Sequence, residues 1–354
     1  MDLSESISRQ TLRIIDASLN RVGEGLRFLE EIARLLLDEV VLTEQLKTMR
    51  HKLIESDHLF QQRLLQSRNS AGDVGMDIEV SGEGESKDLS LLLVANARRV
   101  QESLRTLEEL TKVPAFNYNL DSGKFKQARF ALYTIEQKLF SRLLRQEKLK
   151  HISGLYVIID TEALEGCHHV EVASQAIHSG AGTIQLRDKV TSKGKLLLVA
   201  KQLRDLCAER GALFIVNEHL DVALATDADG LHLESGNLPI AVVRELLPLG
   251  KVLGCSVATV DQAATAQSDG ADYIVVGPVY PTLSREEVVG LERLRQIKEV
   301  VSLPLVAVGG ITKDKVSEVI AAGADSVAVI STILDSGSLE ETSRQIVDIL
   351  ETRK

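Results

Sequence analysis

The sequence predicts an α/β protein in which an all-α N-terminal domain precedes a C-terminal (β/α)8 barrel, the TIM-barrel fold. Two observations lead to this prediction. Up to about residue 150, apolar side chains recur at helical spacing, whereas beyond it short β-branched runs alternate with amphipathic segments of helical length. A chain of 354 residues is long enough for two domains that each bury a core. The predicted boundaries are 1–148 for the helical domain and 152–354 for the barrel.

Helical periodicity dominates the first part of the chain. From Leu12 to Ala33, apolar side chains recur every three or four residues, and charged residues occupy the opposite face. The same rhythm returns near residues 91–110 and 125–144. The spacing predicts long amphipathic helices. The segment 67–87, which is rich in Gly, Ser and acidic residues, is predicted to be a loop.

Two of these helices are copies of one another. Ala17–Ile32 and Ala95–Leu110 are identical at nine of sixteen positions, and a looser Lys-x-x-Arg-x-x-Leu match follows each copy, starting at Lys47 and Lys126. We therefore predict a duplicated helical hairpin that packs as a pseudo-symmetric four-helix unit. The repeated charges are Arg21/Arg99, Glu24/Glu102, Arg27/Arg105 and Glu30/Glu108. They form either solvated faces with local ion pairs, which we favour, or a shared polar site where the copies meet.

Composition argues against several classes of function. The net charge of −10 and the 3% aromatic content, with no Trp, disfavour a nucleic-acid binder. Apolar runs stay below the roughly 18 residues of a membrane span, and the N-terminus lacks a signal-peptide pattern, so we expect a cytoplasmic protein without a membrane partner. The three cysteines form neither a disulfide framework nor a metal knuckle. Cys167 precedes His168 and His169, where a solvated loop is favoured over a metal site because no further ligand lies nearby.

Eight short apolar runs are predicted as strands. They are Leu155–Ile159, Thr183–Leu186, Leu213–Val216, Gly230–Leu233, Val252–Val257, Tyr273–Val276, Leu305–Val308 and Ser326–Ile330. Each is followed by a segment of helical length, as in Lys195–Arg210, Leu291–Val301 and Lys313–Ala322. Strands that are apolar on both faces and alternate with helices predict a parallel barrel. A doubly wound open sheet is the alternative, but the first strand is not followed by a G-x-G-x-x-G motif.

Polar residues concentrate where the apolar runs stop, which is where barrel enzymes build their active sites. These positions are Gln185–Lys189, Asn217–Glu218, His232–Asn237, Ser256, Gly277–Arg285, Gly309–Thr312 and Ile330–Ser331. Arg187 and Lys189 share one face of a strand end, where they suit an anion, although a surface ion pair is the alternative. Gly309 and Gly310 suit close approach of the backbone to a phosphate, with a plain turn as the alternative.

Six of these motifs, in chain order, resemble thiamine-phosphate synthases over the part of the chain from Gly154 onward. They are Gln185-x-Arg187-Asp188-Lys189, Val216-Asn217, Ala228-Asp229-Gly230-x-His232, Gly254-x-Ser256, Gly277-Pro278-Val279-Tyr280-Pro281-Thr282 and Gly309-Gly310-Ile311-Thr312. Each motif alone is weak, but six in order at the correct strands are specific. The resemblance implies an enzyme that joins hydroxymethylpyrimidine diphosphate to a thiazole phosphate and releases pyrophosphate, using Mg²⁺. A carboxylated thiazole substrate would release CO2 as well.

The resemblance also implies roles for individual residues. The pyrimidine diphosphate would contact Gln185, Leu186, Arg187, Asp188, Lys189, Asn217, Ser256 and Arg285, of which Arg187, Lys189, Ser256 and Arg285 would be catalytic. The thiazole phosphate would contact Thr282, Leu283, Ser284, Gly310, Ile330 and Ser331. Mg²⁺ would be bound by Glu218 and Asn237. The small-molecule substrates are then the expected partners, and a homo-oligomer stays open.

Three residues depart from the family pattern. Glu218 and Asn237 stand where the family has two metal-binding Asp residues, and Arg285 stands where it usually has Lys. Glu and Arg keep the charge, whereas Asn removes a negative charge from a metal site that prefers carboxylate oxygens. We therefore predict a weaker Mg²⁺ site, which the nearby Glu234 could compensate.

The helical half resembles an extension fused to this synthase in cyanobacteria and some other bacteria. The matching pieces are Arg13-Ile14-Ile15-Asp16-Ala17, Glu24-Gly25-Leu26-Arg27, Ser67-Arg68-Asn69, Gly72-Asp73-Val74-Gly75 and Arg99-Val100-Gln101-Glu102. A pyrimidine-phosphate kinase has been suggested for the extension, but the sequence has no G-x-x-x-x-G-K-[ST] loop. Catalysis, substrate channelling and dimerisation all remain open.

Two other functions compete for the barrel. One is a different isomerase or lyase of phosphorylated small molecules, which would need a Lys or acid base inside the barrel. The other is a degenerate barrel that binds thiazole phosphate and acts as a tautomerase or regulator. The altered metal residues favour the degenerate barrel, whereas the retained Gln185, Arg187, Lys189 and Asn217 favour the synthase.

Overall fold

The computed structural model describes residues 8–55, 57–69, 88–113, 120–164, 167–282, 288–330 and 339–351. The chain divides into two compact units, residues 1–144 and 145–354. The division falls within one long helix, shortly before the predicted end of the helical domain at residue 148. Within the described residues, no helix is long and apolar enough to cross a membrane.

The N-terminal unit is helical, as predicted. Its helices are α1 (Arg9–Glu31), α2 (Val40–Ile54), α3 (His58–Ser67), α4 (Leu89–Leu110) and the part of α5 (Ser122–Lys150) up to residue 144, and a π-helical turn at Ile32–Leu36 continues α1. The Ser8 hydroxyl caps α1 by accepting from the backbone N–H of Thr11, and Asp57 caps α3 in the same way. The short helix α3 was not predicted. It lies between the hairpin α1–α2 and the hairpin α4–α5, which are the two copies of the repeat.

The internal repeat has a direct structural counterpart. Glu30 of α1 pairs with Arg50 of α2 at 2.9 Å, and Glu108 of α4 pairs with Arg129 of α5 at 3.0 Å. Both glutamates are buried. Arg50 and Arg129 are the arginines of the looser match, so each hairpin is joined by the same ion pair. The duplicated-hairpin prediction thus finds an equivalent link in both copies.

The C-terminal unit is a closed barrel of eight parallel strands in chain order, in which β1 pairs with both β2 and β8. The strands are β1 (Gly154–Asp160), β2 (Ala181–Arg187), β3 (Leu213–Asn217), β4 (Gly230–Leu233), β5 (Val252–Val257), β6 (Tyr273–Val276), β7 (Leu305–Val308) and β8 (Ser326–Ile330). The helices that follow them are α6 (His169–His178), α7 (Lys193–Arg210), α8 (Leu220–Ala225), α9 (Ile240–Leu246), α10 (Val260–Ser268), α11 (Gly290–Val300), α12 (Val316–Ala321) and α13 (Leu339–Glu351). The predicted fold is confirmed, and each strand starts and ends within two residues of its predicted range.

The barrel has two apolar layers because successive strand residues point to opposite faces. Outward side chains, such as those of Val157, Ile184 and Phe214, pack between the strands and the helices. Inward side chains, such as those of Tyr156 and Tyr273, fill the interior. Both faces are therefore buried, which explains why the strands read as continuous apolar runs rather than as alternating ones.

Gly254 of β5 makes room for an interior tyrosine. A Cβ atom at Gly254 would lie 2.0 Å from the ring of Tyr273, which is fully buried. We expect Gly254→Ala to lower the free energy of unfolding by about 1–3 kcal/mol, because overpacking a dense core forces side chains out of their preferred positions. Gly194→Ala in α7, where a Cβ would meet nothing within 4 Å, is the matched control and should be neutral or slightly stabilising. Thermal unfolding followed by circular dichroism measures both, and equal midpoints would contradict the prediction.

Candidate active site

The carboxyl ends of four neighbouring strands bring a set of charged side chains together at one end of the barrel. Arg187 ends β2 directly opposite Asp160 of β1. Its Nη1 donates to Asp160, and its Nε donates to Glu234, just after β4, at 2.8 Å. Lys189 Nζ donates to the other oxygen of Glu234 at 2.6 Å and lies 4.0 Å from Glu218. The predicted basic pair is thus assembled here, and both cations share one carboxylate.

The electrostatics of this cluster follow from the pairing. Partial burial favours the neutral acid, but the hydrogen bonds and charges of Arg187 and Lys189 outweigh it and lower the pKa of Glu234 to about 2. Burial lowers the pKa of Arg187, but Glu234 and Asp160 outweigh that effect and raise it. Glu234 and Arg187 are therefore both charged at neutral pH.

Beneath the charges, a chain of hydrogen bonds crosses the barrel interior. Asn217 Nδ2 donates to Glu234 at 3.2 Å, and Gln185 Nε2 donates to Asn217 Oδ1 at 2.8 Å. The Tyr156 hydroxyl donates to Gln185 Oε1 at 2.6 Å and lies 3.0 Å from the Tyr273 hydroxyl. Since the Tyr156 proton is already used, Tyr273 is the donor to Tyr156. In this series of hydrogen bonds, each group donates to the next one in the direction of Glu234.

This direction has a chemical cause. The carboxylate of Glu234 can only accept, so Asn217 must turn its NH2 group toward it and its carbonyl oxygen toward Gln185. The same reasoning orients the Gln185 amide. Each NH2 group keeps a second N–H that can be offered to a ligand. The two buried amides are thus oriented as donors before any ligand arrives.

His232 of β4 orients the predicted site residue Ser256. His232 is buried, and this burial lowers its pKa to about 4 despite the nearby charge of Glu234, so the ring is neutral. Its Nε2 lies 3.0 Å from Ser256 Oγ, and its buried Nδ1 has no partner within the described residues. An unpaired buried N–H costs more than an unpaired lone pair, so we assign the proton to Nε2. Ser256 then accepts from His232, and its own O–H is left to donate to a ligand.

Two of the predicted diphosphate-binding residues direct their side chains elsewhere. Leu186 points outward into the layer between strands and helices. The carboxylate of Asp188 accepts from the Thr161 and Thr191 hydroxyls and from the backbone N–H groups of Val190 and Thr191. Contact of Leu186 or Asp188 with a substrate is therefore limited to the main chain. Asp188 instead fixes the loop that carries Lys189.

The predicted thiazole-phosphate residues are described only in part. Gly310 lies just after β7, and Ile330 is the last residue of the neighbouring strand β8. The side chain of Ile330 faces the barrel interior. Gly310 has φ +64°, and a Cβ there would lie 2.7 Å from the carbonyl oxygen of Pro281. This close packing requires glycine without any ligand, so it supports the plain-turn alternative as well. Thr282 is the last described residue of its loop, and Leu283, Ser284, Arg285 and Ser331 lie outside the described residues.

The two predicted metal ligands are neighbours. Glu218 follows β3 with a left-handed backbone, φ 59°, and its Oε1 accepts from Asn237 Nδ2 at 3.0 Å. Among the described residues, no group of three or more His, Cys, Asp and Glu side chains is arranged to hold a metal ion. That finding includes Cys167, His168 and His169, and His169 Nε2 lies 3.0 Å from the Thr161 hydroxyl instead.

The repeated charges of the helical unit fall into two groups. Arg27 pairs with Glu31, Arg105 pairs with Glu108, and Arg50 and Arg129 complete the links described above. These charges form the local ion pairs that we favoured. A second group lines a groove of about 890 Å³ beside α1 and α4: Arg21, Glu24, Arg99 and Glu102. None of these four has an ion-pair partner in the described part of the chain.

Sequence reasoning missed Asp160, Tyr156 and Tyr273. Asp160 directly follows the apolar run of β1, so the rule that selected the other strand ends would have found it. The two tyrosines are part of apolar runs. Only the closed barrel brings the Tyr156 hydroxyl to Gln185 and the Tyr273 hydroxyl to Tyr156.

Two family models match this chain, one over each half. Residues 155–333 match a family model described as thiamine monophosphate synthase, and residues 13–138 match one described as the ThiD2 family. The thiamine-phosphate synthase of Synechococcus sp. (strain WH7803) is 36% identical over 358 residues, which cover 99% of each chain.

Two further relatives each match a little over half of this chain. The thiamine-phosphate synthase of Methanospirillum hungatei JF-1 is 42% identical and covers 56% of this chain and 97% of its own. The solved thiamine phosphate pyrophosphorylase from Pyrococcus furiosus is 39% identical with a TM-score of 0.53, covering 58% of this chain and 98% of its own. The barrel and the end-to-end similarity lead to one conclusion: the chain belongs to the thiamine-phosphate synthase family.

Proposed function

We propose that the barrel joins a hydroxymethylpyrimidine diphosphate to a thiazole phosphate, forming thiamine phosphate and releasing pyrophosphate. One observation carries the proposal: Arg187 and Lys189 stand together above the donor groups of Gln185 and Asn217. Two cations can neutralise a diphosphate, and the amide N–H groups suit the acceptor atoms of a heterocycle. A fork of guanidinium N–H groups beside a point charge fits a polyanion.

The reaction breaks one bond and forms another. The C–O bond between the pyrimidine methylene and the diphosphate breaks, and its electron pair leaves with pyrophosphate. The methylene cation that results is stabilised by the aminopyrimidine ring, and the thiazole nitrogen then donates its lone pair to form the C–N bond. The protein's task is to stabilise the departing charge through Arg187 and Lys189, and to hold the two rings together. The Ser256 hydroxyl, oriented by His232, is placed to donate to the pyrimidine or to the leaving group.

Mg²⁺ binding fits the residues at Glu218 and Asn237. Mg²⁺ in phosphate enzymes commonly takes one or two protein oxygens and completes its shell with substrate phosphates and water. Glu218 supplies a carboxylate, and Asn237 supplies an amide oxygen once its side chain turns the oxygen toward Glu218 in place of the NH2 group. When bound, the metal would neutralise charge on the departing diphosphate.

The thiazole phosphate is assigned to the loops that follow β6, β7 and β8. Thr282, Gly310 and Ile330 are the described members of that set, and Leu283, Ser284 and Ser331 complete it. The domain division at 148 and 152, the cytoplasmic location and a homo-oligomer stay predictions.

A turnover assay of the full chain tests the proposed function. The protein receives the pyrimidine diphosphate, the thiazole phosphate and a titration of Mg²⁺, and thiamine phosphate and pyrophosphate are measured. We expect both products in equal amounts and only with both substrates present. Tight thiazole phosphate binding without any product would reject the synthase and support the degenerate ligand-binding barrel.

Asn237 offers a direct test of the metal assignment. We expect Asn237→Asp to raise the affinity for Mg²⁺ by about tenfold, since an added carboxylate brings more negative charge to a site for a hard cation. Asn237→Ala should lower the affinity. The Mg²⁺ concentration at half-maximal turnover and calorimetric titration of Mg²⁺ in the presence of pyrophosphate report the change. An affinity that is the same in both variants and in the wild type would remove Asn237 from the site.

A further inference from the structure

Glu234 forms ion pairs with both Arg187 and Lys189, the two cations proposed to bind the diphosphate. One of its oxygens accepts from Arg187 Nε at 2.8 Å, and the other accepts from Lys189 Nζ at 2.6 Å. The second side of the Arg187 guanidinium is bound to Asp160. A diphosphate that approaches this face therefore finds its two expected partners already paired with a carboxylate.

The excess of carboxylates at the site also opposes binding of the diphosphate. Within the cluster of ion pairs around Arg187 and Lys189, the carboxylates of Asp160, Glu218 and Glu234 outnumber the two cations. Two anions within a few ångströms of each other repel strongly where water is partly excluded. A diphosphate can bind well only if Glu234 gives up its partners, or if added positive charge compensates for it.

The side chain of Glu234 lies close to Glu218, one of the proposed Mg²⁺ ligands. Lys189 Nζ bridges Glu234 and Glu218, at 2.6 Å and 4.0 Å, so the two carboxylates are close neighbours. Glu218 in turn contacts Asn237. Asn237 lacks the charge that a second carboxylate would supply, and Glu234 is the nearby group that can supply it. Its side chain is only partly buried and has three rotatable bonds, so it can turn without moving β4.

We propose that the carboxylate of Glu234 takes the place of the diphosphate before substrate binds, by pairing with Arg187 and Lys189. When the diphosphate binds, it displaces Glu234 from these two cations. Glu234 then coordinates Mg²⁺ beside Glu218. The proposal rests on the proposed function. It explains how the site keeps its cations in place without substrate, and how it obtains a second metal carboxylate although Asn stands at position 237.

In this proposal, binding of the diphosphate and binding of Mg²⁺ are coupled. The diphosphate frees Glu234 for the metal, and the metal draws Glu234 away from Arg187 and Lys189. Linkage requires each ligand to raise the affinity of the other by the same factor. Removal of the carboxylate should therefore strengthen metal-free diphosphate binding and weaken the cooperation with Mg²⁺.

Calorimetric titration of the full chain with inorganic pyrophosphate, with and without Mg²⁺, tests both effects. Without Mg²⁺, we expect Glu234→Gln to bind pyrophosphate about tenfold more tightly than the wild type, since the competing anion is gone. The factor by which Mg²⁺ tightens pyrophosphate binding should fall by about tenfold in the variant, within the usual range of coupling between sites. Glu234→Ala should behave like Glu234→Gln.

Glu292→Gln is the matched control. Glu292 pairs with Arg295 on the exposed face of α11, so this change removes the same charge from the protein but not from the site. It should bind pyrophosphate as the wild type does. Circular dichroism melting of each variant checks that the barrel is folded.

The outcomes separate the inference from the proposed function. Metal-free pyrophosphate binding that is unchanged or weaker in both Glu234 variants overturns the displacement, and an unchanged effect of Mg²⁺ overturns the metal role. Either result can occur while the wild type still makes thiamine phosphate, which leaves the proposed function standing. Conversely, the expected binding pattern in a protein without turnover supports the displacement and rejects the synthase reaction.

Discussion

Replacement of Arg187 by alanine is expected to reduce thiamine phosphate formation by about a hundredfold to a thousandfold, the usual loss when a preorganised donor to developing negative charge is removed. Arg187 donates through two nitrogens, to Asp160 and to Glu234. It is the residue that connects β1, β2 and the β4 loop. Its loss removes one of the two described cations and leaves both carboxylates without that partner. Steady-state kinetics of the full chain measure the effect as kcat and kcat/KM.

Two variants sharpen this test. Arg187→Lys keeps the charge but has no planar fork, so we expect it to recover only part of the lost activity. Arg295→Ala removes a surface arginine that pairs with Glu292 on α11 and should leave the kinetics unchanged. A loss of less than about threefold in Arg187→Ala, well short of the loss expected for such a donor, would exclude Arg187 from the stabilisation of the leaving group.

Replacement of Asp272 by alanine should have the largest effect on stability. Asp272 lies just before β6, and its carboxylate accepts from Arg145 at 2.8 Å, from Arg244 at 3.0 Å and from the backbone N–H of Leu253 at 2.9 Å. Asp272 and Arg145 are both buried, with side chains 4% and 6% exposed. Removal of one partner leaves buried charge uncompensated, at a cost of about 3–5 kcal/mol. Chemical unfolding followed by circular dichroism measures the loss.

The controls separate stability from catalysis. Asp205→Ala removes an exposed carboxylate that pairs with Arg204, and surface changes of this kind cost about 0.5 kcal/mol or less. Asp272 precedes its strand and therefore lies at the end of the barrel opposite the proposed site. Asp272→Ala should then retain turnover at temperatures where it stays folded. A stability like that of Asp205→Ala would mean that the two arginines find other partners.

Much of the fold follows from local sequence because each strand is covered on both faces. A run such as Leu213–Val216 has no polar residue to place in water, so its pattern alone predicts a buried strand. The residue that follows it, Asn217, is polar because the strand ends there. The same logic found Gln185 and Arg187, which the structure places beside Asn217. The internal repeat likewise predicted the paired hairpins of the helical unit.

The pairing within the site could not be predicted this way. Arg187 and Glu234 are 47 positions apart, and only the order and register of β2, β3 and β4 bring them together. Glu234 could be suspected as a substitute metal ligand from its place near Asn237. The sequence did not predict that Glu234 pairs with Arg187 and Lys189, the two cations assigned to the diphosphate. The outward direction of Leu186 and the local bonding of Asp188 also depend on tertiary packing.

The sequence by itself determined the two-part architecture, the eight strands, the family and the identity of the residues at the strand ends, because these depend on periodicity and on short motifs. The tertiary structure alone decided which charges pair, which way the amides of Gln185 and Asn217 face, and which carboxylate holds Arg187 and Lys189. The reason is physical. Hydrogen bonds and ion pairs depend on distances of a few ångströms between atoms far apart in the chain, and only closure of the barrel sets those distances.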